Sequence, residues 1–165
     1  PGLKNKDEVA EQVGVGAVVF NDLVHNRIKD ISFDWDTALS FEGDTAPYVQ
    51  YTHARACSVL RKAESLGVRP LTEGYAGTEW EDAEVSLMRL MGRFPKVVAA
   101  AAQGREPSTI ARYVLDLAKA FNGFYHANRI IGSEREAERL ALTNAVRHVL
   151  ANALDLLCVA APEEM

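Results

Sequence analysis

The sequence contains little cysteine and no spacing typical of a metal site. Its 165 residues include two cysteines, Cys57 and Cys158, both in apolar surroundings, and four scattered histidines. No Cys-x-x-Cys or paired-histidine pattern occurs, which argues against the common zinc sites and against a disulfide-rich domain. We therefore expect reduced thiols, no bound metal and a cytoplasmic location.

The chain also lacks a long apolar run. The longest candidates, residues 97–102 and 156–162, fall well short of the roughly 18–20 residues that a membrane-spanning helix requires. The opening Pro1-Gly2-Leu3 is not followed by the apolar segment of a signal peptide. Pro1 suggests instead that the numbering starts partway along a longer chain.

Familiar catalytic motifs are missing as well. Gly14 and Gly16 imitate the start of a dinucleotide-binding loop, but Val19 stands where the third glycine belongs. Close backbone packing is the better interpretation of these glycines. The paired acids Asp34 and Asp36 have no histidine, lysine or nucleophile nearby in sequence, so we expect capping or turn-forming roles for them. Residue chemistry alone indicates no active site.

Charge permits nucleic-acid binding without indicating it. The net charge is −5, yet residues 51–125 contain 10 basic and 8 acidic side chains and are the only part with a positive balance. No dense basic block occurs there. Electrostatics therefore leave both an RNA partner and a protein partner open.

Hydrophobic periodicity predicts an all-α bundle of about five helices from Thr45 onward. Pro47 suits a first helical turn, and Gly67 offers a left-handed end to that helix. The pattern predicts four further helices: one capped by Thr78 and Glu81 and ending near Gly92, one from Pro95 to Gly104, a long one from Pro107, and one capped by Ser133 and Glu136 that runs through Leu157.

The first forty residues follow a different pattern. Residues 7–13 suggest a short helix, whereas residues 17–20 and 31–35 suggest strands, because they are apolar or alternate in polarity. We expect either a small two-stranded element or an irregular connecting segment.

A set of tyrosines and arginines shares helical faces. Tyr48, Tyr51 and Arg55 fall along one face of the first predicted helix, and Tyr125 and Arg129 lie one turn apart near the end of the long helix. Tyrosine rings can stack on unpaired bases while arginine contacts phosphate or a base edge. The alternative is that each tyrosine packs in the core with its hydroxyl bonded.

Several stretches together closely resemble the arginyl-tRNA synthetase family. They combine Asn26-Arg27, FDWD at residues 33–36 and FEGDTAPYVQYTHAR at residues 41–55, with support from residues 112–126, residues 139–157 and the Pro-x-x-Met ending at Met165. The combination is highly specific, and the resemblance spans essentially the whole chain. It is weakest at residues 66–78.

The resemblance implies a particular division of labour. In the family, a class I catalytic domain with HIGH and KMSKS signatures precedes this region, and neither signature is present here. Residues 1–40 would be a connecting segment, and residues 41–165 a helical anticodon-binding domain of the DALR type, also found in cysteinyl-tRNA synthetases. The piece would bind tRNA(Arg), contact the missing catalytic domain, contain no cofactor and be inactive alone. ATP and Mg²⁺ would serve the intact enzyme, which we expect to be a monomer.

The resemblance also implies individual roles. Tyr48, Tyr51 and Arg55 resemble family residues that shape or contact the anticodon side. Tyr125 matches an aromatic that packs against anticodon bases, and Met165 matches a terminal residue that reaches the loop. Arg129 stands where some relatives have an aromatic residue, although a guanidinium plane can also stack. Two rivals stay open: the anticodon module of another class I synthetase, and a helical module that binds protein.

Overall fold

The computed structural model describes residues 5–26, 28, 30–74 and 79–165. Helices account for most of them, and no strand occurs within these ranges. The all-α bundle predicted from periodicity is therefore confirmed. The elements are α1 (Lys6–Val24), α2 (Trp35–Ala38), α3 (Ala46–Ser65), α4 (Asp82–Gly104), α5 (Ser108–Ala127) and α6 (Glu136–Leu156).

Helix α5 lies at the centre of the bundle and packs against α1, α3, α4 and α6. Its apolar residues recur at three- and four-residue intervals, and this stripe is buried. Neighbouring helices contribute large side chains that are fully buried against it: Phe20, Leu87, Leu140, Leu150 and Leu154. Burial of this apolar surface is the main stabilising term of the bundle.

The strand prediction for residues 17–20 is wrong, because α1 is one continuous helix through them. Ala17 and Phe20 are buried whereas Val15 and Val18 are exposed. This three-residue spacing follows a helical face rather than the alternation of a strand. Residues 31–34 are irregular and precede the four-residue helix α2, so the irregular alternative for the connecting segment describes this part.

The predicted break between Gly92 and Pro95 is also wrong. Helix α4 continues through both residues to Gly104, although a proline inside a helix removes one backbone hydrogen bond. Tertiary contacts support the helix across this point. Phe94 stacks on Tyr113 of α5 at 5.5 Å between ring centroids, and the Tyr113 hydroxyl donates to the Leu90 carbonyl at 3.0 Å. Burial raises the pKa of Tyr113 to about 12, so the hydroxyl stays a donor.

Helix starts agree with the sequence at one site and differ at two. The Thr45 hydroxyl accepts the Tyr48 amide and caps α3 as expected. Thr78 lies outside the described residues; the capping box of α4 is formed by Glu81 and Glu84 instead. Ser133 donates to the Ile130 carbonyl and does not cap α6, which begins at Glu136.

Three helices end in the same left-handed turn. Gly67 after α3, Arg105 after α4 and Cys158 after α6 have positive φ, 76°, 51° and 56°. In each turn the next residue donates back to the helix: Val68 to the Ala63 carbonyl, Glu106 to the Ala101 carbonyl and Val159 to the Leu154 carbonyl. This is the Schellman arrangement. The expected left-handed stop at Gly67 is confirmed, and the turn at Cys158 directs the chain after α6 back onto the bundle.

A buried carboxylate joins the first turns of α4 and α6. Glu84 is fully buried and accepts from Arg135 Nη2 at 2.6 Å and from Arg139 Nε at 3.1 Å. Arg139 also donates to a Glu81 carboxylate oxygen and to the Arg129 carbonyl. Two guanidinium groups thus compensate one buried negative charge, as a charge in such a site requires.

None of the helices described here is long and apolar enough to cross a membrane.

Candidate nucleic-acid interface

The first turns of α3 and the last turns of α5 bring aromatic and basic residues together. Thr45 fixes the start of α3, and Tyr51 and Arg55 then fall on the helix face beside α5. Tyr125 occupies the last turn of α5, next to the buried Phe124 and one turn after the buried Phe121, whose ring centroid lies 6.4 Å from that of Tyr125. Packing of two helices therefore joins residues separated by seventy positions in sequence.

Arg55 links the two tyrosines. Its guanidinium carbon lies 4.9 Å from the centroid of the Tyr51 ring and 5.0 Å from that of the Tyr125 ring. Both distances are within cation–π range. Tyr51 is 42% exposed and Tyr125 is 36% exposed, so each ring retains surface that a planar ligand can cover.

The side chain of Asn122 forms hydrogen bonds with Arg55 and with two hydroxyl groups of α3. Its amide oxygen accepts from Arg55 Nη1 at 2.5 Å, and its amide nitrogen donates to the Tyr48 hydroxyl at 3.0 Å and to the Thr52 hydroxyl at 2.9 Å. With every polar atom of its amide used, Asn122 holds Arg55 in one orientation. Nothing in the sequence pattern singled it out, although a polar residue three positions before Tyr125 on the same helix face was the available signal.

The exposed rings line a surface hollow of about 410 Å³. Tyr51, Arg55, Tyr125 and Met165 all contribute to it, as do Arg61, Glu163 and Glu164. Arg61 and Glu164 form an ion pair at 3.3 Å on the rim. The rim has mixed charge and the walls are aromatic, so the hollow suits a planar, polar-edged group better than a run of phosphates.

Two of the six predicted residues do not line this hollow. Tyr48 is half-buried and packs against the core, with its hydroxyl bonded to Asn122. Arg129 is exposed, but its side chain bends back to donate to the Ile131 carbonyl at 3.0 Å. The structure thus brings Tyr51, Arg55, Tyr125 and Met165 together, places Tyr48 behind them and leaves Arg129 apart.

Sequence reasoning also missed Phe41. Its ring meets Tyr51 edge to face at 6.0 Å and is 53% exposed. A phenylalanine in the irregular segment before α3 gave no periodic signal. Phe41 adds apolar surface to the aromatic group on the α3 side.

Asp34, the first of the paired acids, has the capping role that the sequence led us to expect. Its carboxylate caps α2 by accepting the Thr37 amide at 2.8 Å and the Thr37 hydroxyl at 2.6 Å. These hydrogen bonds lower the pKa of Asp34 below its usual value. Over the described part of the chain, no three His, Cys, Asp or Glu side chains are grouped so as to hold a metal ion.

Comparison with known proteins assigns a family to this bundle. The family model of the DALR anticodon-binding domain matches residues 49–165. The chain belongs to that family. The match covers α3 to α6 and therefore includes four helices and the hollow.

Curated relatives of the DALR chain align with it along its full length. It is 48% identical to a protein named arginine–tRNA ligase from Alkaliphilus metalliredigens (strain QYMF). It is 51% identical to arginine–tRNA ligase 1 from Bacillus thuringiensis subsp. konkukian (strain 97-27). Each alignment covers all of this chain and 29% of the relative. The chain thus spans less than a third of the length of these proteins.

A solved structure supports the same relationship. The Thermus thermophilus arginyl-tRNA synthetase superposes with a TM-score of 0.90 at 36% sequence identity. The superposition covers all of this chain and 29% of that one. The bundle therefore has the architecture of one part of that synthetase.

Proposed function

We propose that this DALR domain is the anticodon-recognition part of an arginyl-tRNA synthetase and that its hollow receives an unstacked base of the anticodon loop of tRNA(Arg). The observation that carries the proposal is Arg55, which bridges the exposed rings of Tyr51 and Tyr125 beside Met165. Aromatic rings and a guanidinium group are the usual platform for splayed-out RNA bases. Relatives named arginine–tRNA ligases match the chain over its whole length, which supports the choice of tRNA.

Different residues have different tasks in this proposal. Tyr51, Tyr125 and Met165 contact the base, whereas Tyr48 acts through Asn122 to orient Arg55. Arg129 lies outside the hollow, and we propose a phosphate contact for it, since a positive side chain on the surface after α5 can meet the RNA backbone.

The intact enzyme would ligate arginine to tRNA with ATP and Mg²⁺ in a catalytic domain outside this sequence. Residues 1–40 would then connect to that domain, and residues 41–165 would bind the anticodon. We propose that the chain alone has no ATP–pyrophosphate exchange activity, that the enzyme is a monomer and that it acts in the cytoplasm.

Replacement of Tyr125 by alanine tests the hollow. Loss of one stacking surface should weaken binding of an RNA hairpin with the anticodon stem and loop of tRNA(Arg) by about 1–3 kcal/mol. The measurement is a fluorescence anisotropy titration, with a helical circular dichroism spectrum as the check on folding. Phe33→Ala serves as a matched control, because this aromatic ring is 39% exposed, much as Tyr125 is, but lies before α2 and does not line the hollow.

Unchanged affinity of a folded Tyr125→Ala chain would exclude the hollow as the base-binding site. The same titration in increasing salt separates the rival of a protein-binding module: phosphate contacts cause a steep loss of RNA affinity with salt, whereas an apolar protein interface shows little dependence. A hairpin from a cysteine-accepting tRNA that bound equally well would favour the other class I module.

A further inference from the structure

The residues after α6 are tied to α3 by a row of side-chain donors. Gln50 Nε2 donates to the Ala160 carbonyl at 2.9 Å, His53 Nδ1 lies 2.9 Å from the Pro162 carbonyl, and Arg61 Nη1 donates to the Glu163 carbonyl at 3.2 Å. We call residues 160–165 the tail. The tail runs parallel to α3, since later tail residues contact later helix residues.

Spacing on α3 explains how one helix can supply this row. Residues 50, 53, 57 and 61 are three or four positions apart and therefore share a face. The hollow residues Tyr51 and Arg55 occupy the neighbouring face. A chain fixed along the first face thus delivers its last residue, Met165, to the second.

The chemistry of Gln50 and of His53 fits a fixed attachment of the tail rather than a passing contact. Gln50 is fully buried, and its Nε2 donates to two carbonyls, those of Ala160 and of Gln12 in α1. A carbonyl cannot donate, so His53 must have its proton on Nδ1 to bond Pro162. The Cys57 sulfur lies 3.8 Å from His53 Nε2, where its weak S–H donor supports the same tautomer.

Gly16 shows how closely α1, α3 and the chain after α6 approach. A Cβ atom at this position would lie 2.9 Å from Gln50 Nε2 and 3.1 Å from a methyl of the buried Val159. Gly14, two residues earlier, has no such neighbour within 4 Å. A side chain at position 16 would therefore displace the Gln50 amide or Val159, where the attachment of the tail begins.

We infer that Gln50, His53 and Arg61 are positioning residues for RNA binding, which hold the tail so that Met165 completes the base-binding hollow. This inference rests on the proposed function of the hollow. Without the three donors the tail would lose its fixed course, and Met165 would spend less time beside Tyr51 and Tyr125. The attachment itself can be measured without RNA.

Methyl NMR of the methionines tests the attachment directly. The chain has three methionines, Met88, Met91 and Met165, so the three labelled methyl signals can be assigned by substitution. In His53→Phe, which retains a ring but removes the donor, the Met165 signal should move toward its unstructured position. In His53→Asn, which retains an N–H near Nδ1, it should stay. An unmoved Met165 signal in His53→Phe would overturn the inference, whatever the RNA does.

Binding of the same arginine anticodon hairpin tests the consequence. His53→Phe and deletion of residues 163–165 should each weaken affinity by about tenfold, the effect of losing one good contact to a base. The two changes combined should weaken it no further, because both remove the same contact. Full additivity would mean that His53 acts only on fold stability and would contradict the positioning role.

A pair of glycine substitutions supplies the matched control. Gly16→Ala should weaken hairpin binding and shift the Met165 signal, whereas Gly14→Ala, on the same helix with free space around it, should do neither. If Tyr125→Ala weakens binding while the His53 and Gly16 variants do not, the positioning role fails and the hollow survives. If Tyr125→Ala has no effect but the Met165 signal shifts as expected, the attachment stands and the RNA assignment fails.

Discussion

His53 lies inside the bundle with one ring nitrogen bonded to the Pro162 carbonyl. Burial is the main cause that lowers its pKa below the usual value, and Arg147 and His148 act in the same direction. The hydrogen bond to Pro162 and the Glu163 carboxylate act in the opposite direction but more weakly in sum. Cys57 also faces the ring and stays a neutral thiol, because burial raises its pKa. Protonation of the His53 ring is therefore less favourable in the folded chain than in the unfolded chain.

This imbalance predicts a pH dependence of stability. As the pH falls through about 6.5, the ordinary histidine pKa, the unfolded state gains a proton that the folded state resists, so the free energy of unfolding decreases until the lowered folded pKa is reached. Above about pH 7.5 both states hold a neutral ring, and His53 contributes no slope. Urea unfolding from about pH 5 to 8 measures this. His53→Asn should have a shallower slope below pH 6.5, and identical slopes would contradict the assignment.

The Schellman turns at Gly67 and Cys158 permit a test of how each residue affects a helix end. Gly67 is open to solvent on all sides, so a Cβ there meets nothing and only its positive φ disfavours alanine. Gly67→Ala should lower the free energy of unfolding by about 1 kcal/mol. Cys158→Gly, at the equivalent position after α6, should raise it by about 0.5–1 kcal/mol, because it relieves a left-handed conformation that glycine adopts freely. Denaturant unfolding of both variants measures the pair, and changes of the same sign would refute this account.

Periodicity identified the long helices because their apolar stripes are uninterrupted. The boundaries of α3 and the buried face of α5 followed from Thr45, Gly67 and the apolar residues of α5, all of which act locally. Helix α1 was misassigned because residues 18–20 are β-branched or aromatic, and only packing against α3 and α5 decides which of them are buried. The prediction divided helix α4 at Pro95. The contact that supports the helix there, the stacking of Phe94 on Tyr113, involves helix α5 and leaves no local signal in the sequence.

The candidate site was predictable to the extent that it depends on helical spacing. Tyr51 and Arg55 share a face by virtue of their four-residue separation, so their proximity was available from sequence. The contributions of Asn122 and Phe41 could not be predicted in this way. Asn122 contacts Tyr48 about seventy residues away, and Phe41, from an irregular segment, contacts Tyr51 about ten residues away. The position of Arg129 depends on Arg139 of α6, whose guanidinium group donates a hydrogen bond to the Arg129 carbonyl. The role of each predicted residue in binding RNA stays a prediction.

Across the bundle, Glu84 joins α4 to α6 in the half away from α1. Replacing it with glutamine removes the only buried negative charge that faces Arg135 and Arg139 in this cluster of described residues. Breaking one side of a buried pair costs about 3–5 kcal/mol. Glu84→Gln should therefore lower the free energy of unfolding by that amount, as measured by guanidinium titration. Glu134→Gln, an exposed carboxylate in the segment before α6, is the control, with an expected change within about 0.5 kcal/mol. Equal effects of the two variants would show that the cluster contributes nothing to stability.

Met165 lies in the wall of the hollow, and this has a practical consequence for protein production. A purification tag fused after that residue would have to leave past Tyr51 and Tyr125 and would crowd the surface that a base needs. Tagged and untagged preparations should then differ in apparent RNA affinity even when both are fully folded. Titrations are best made with protein from which any such extension has been removed.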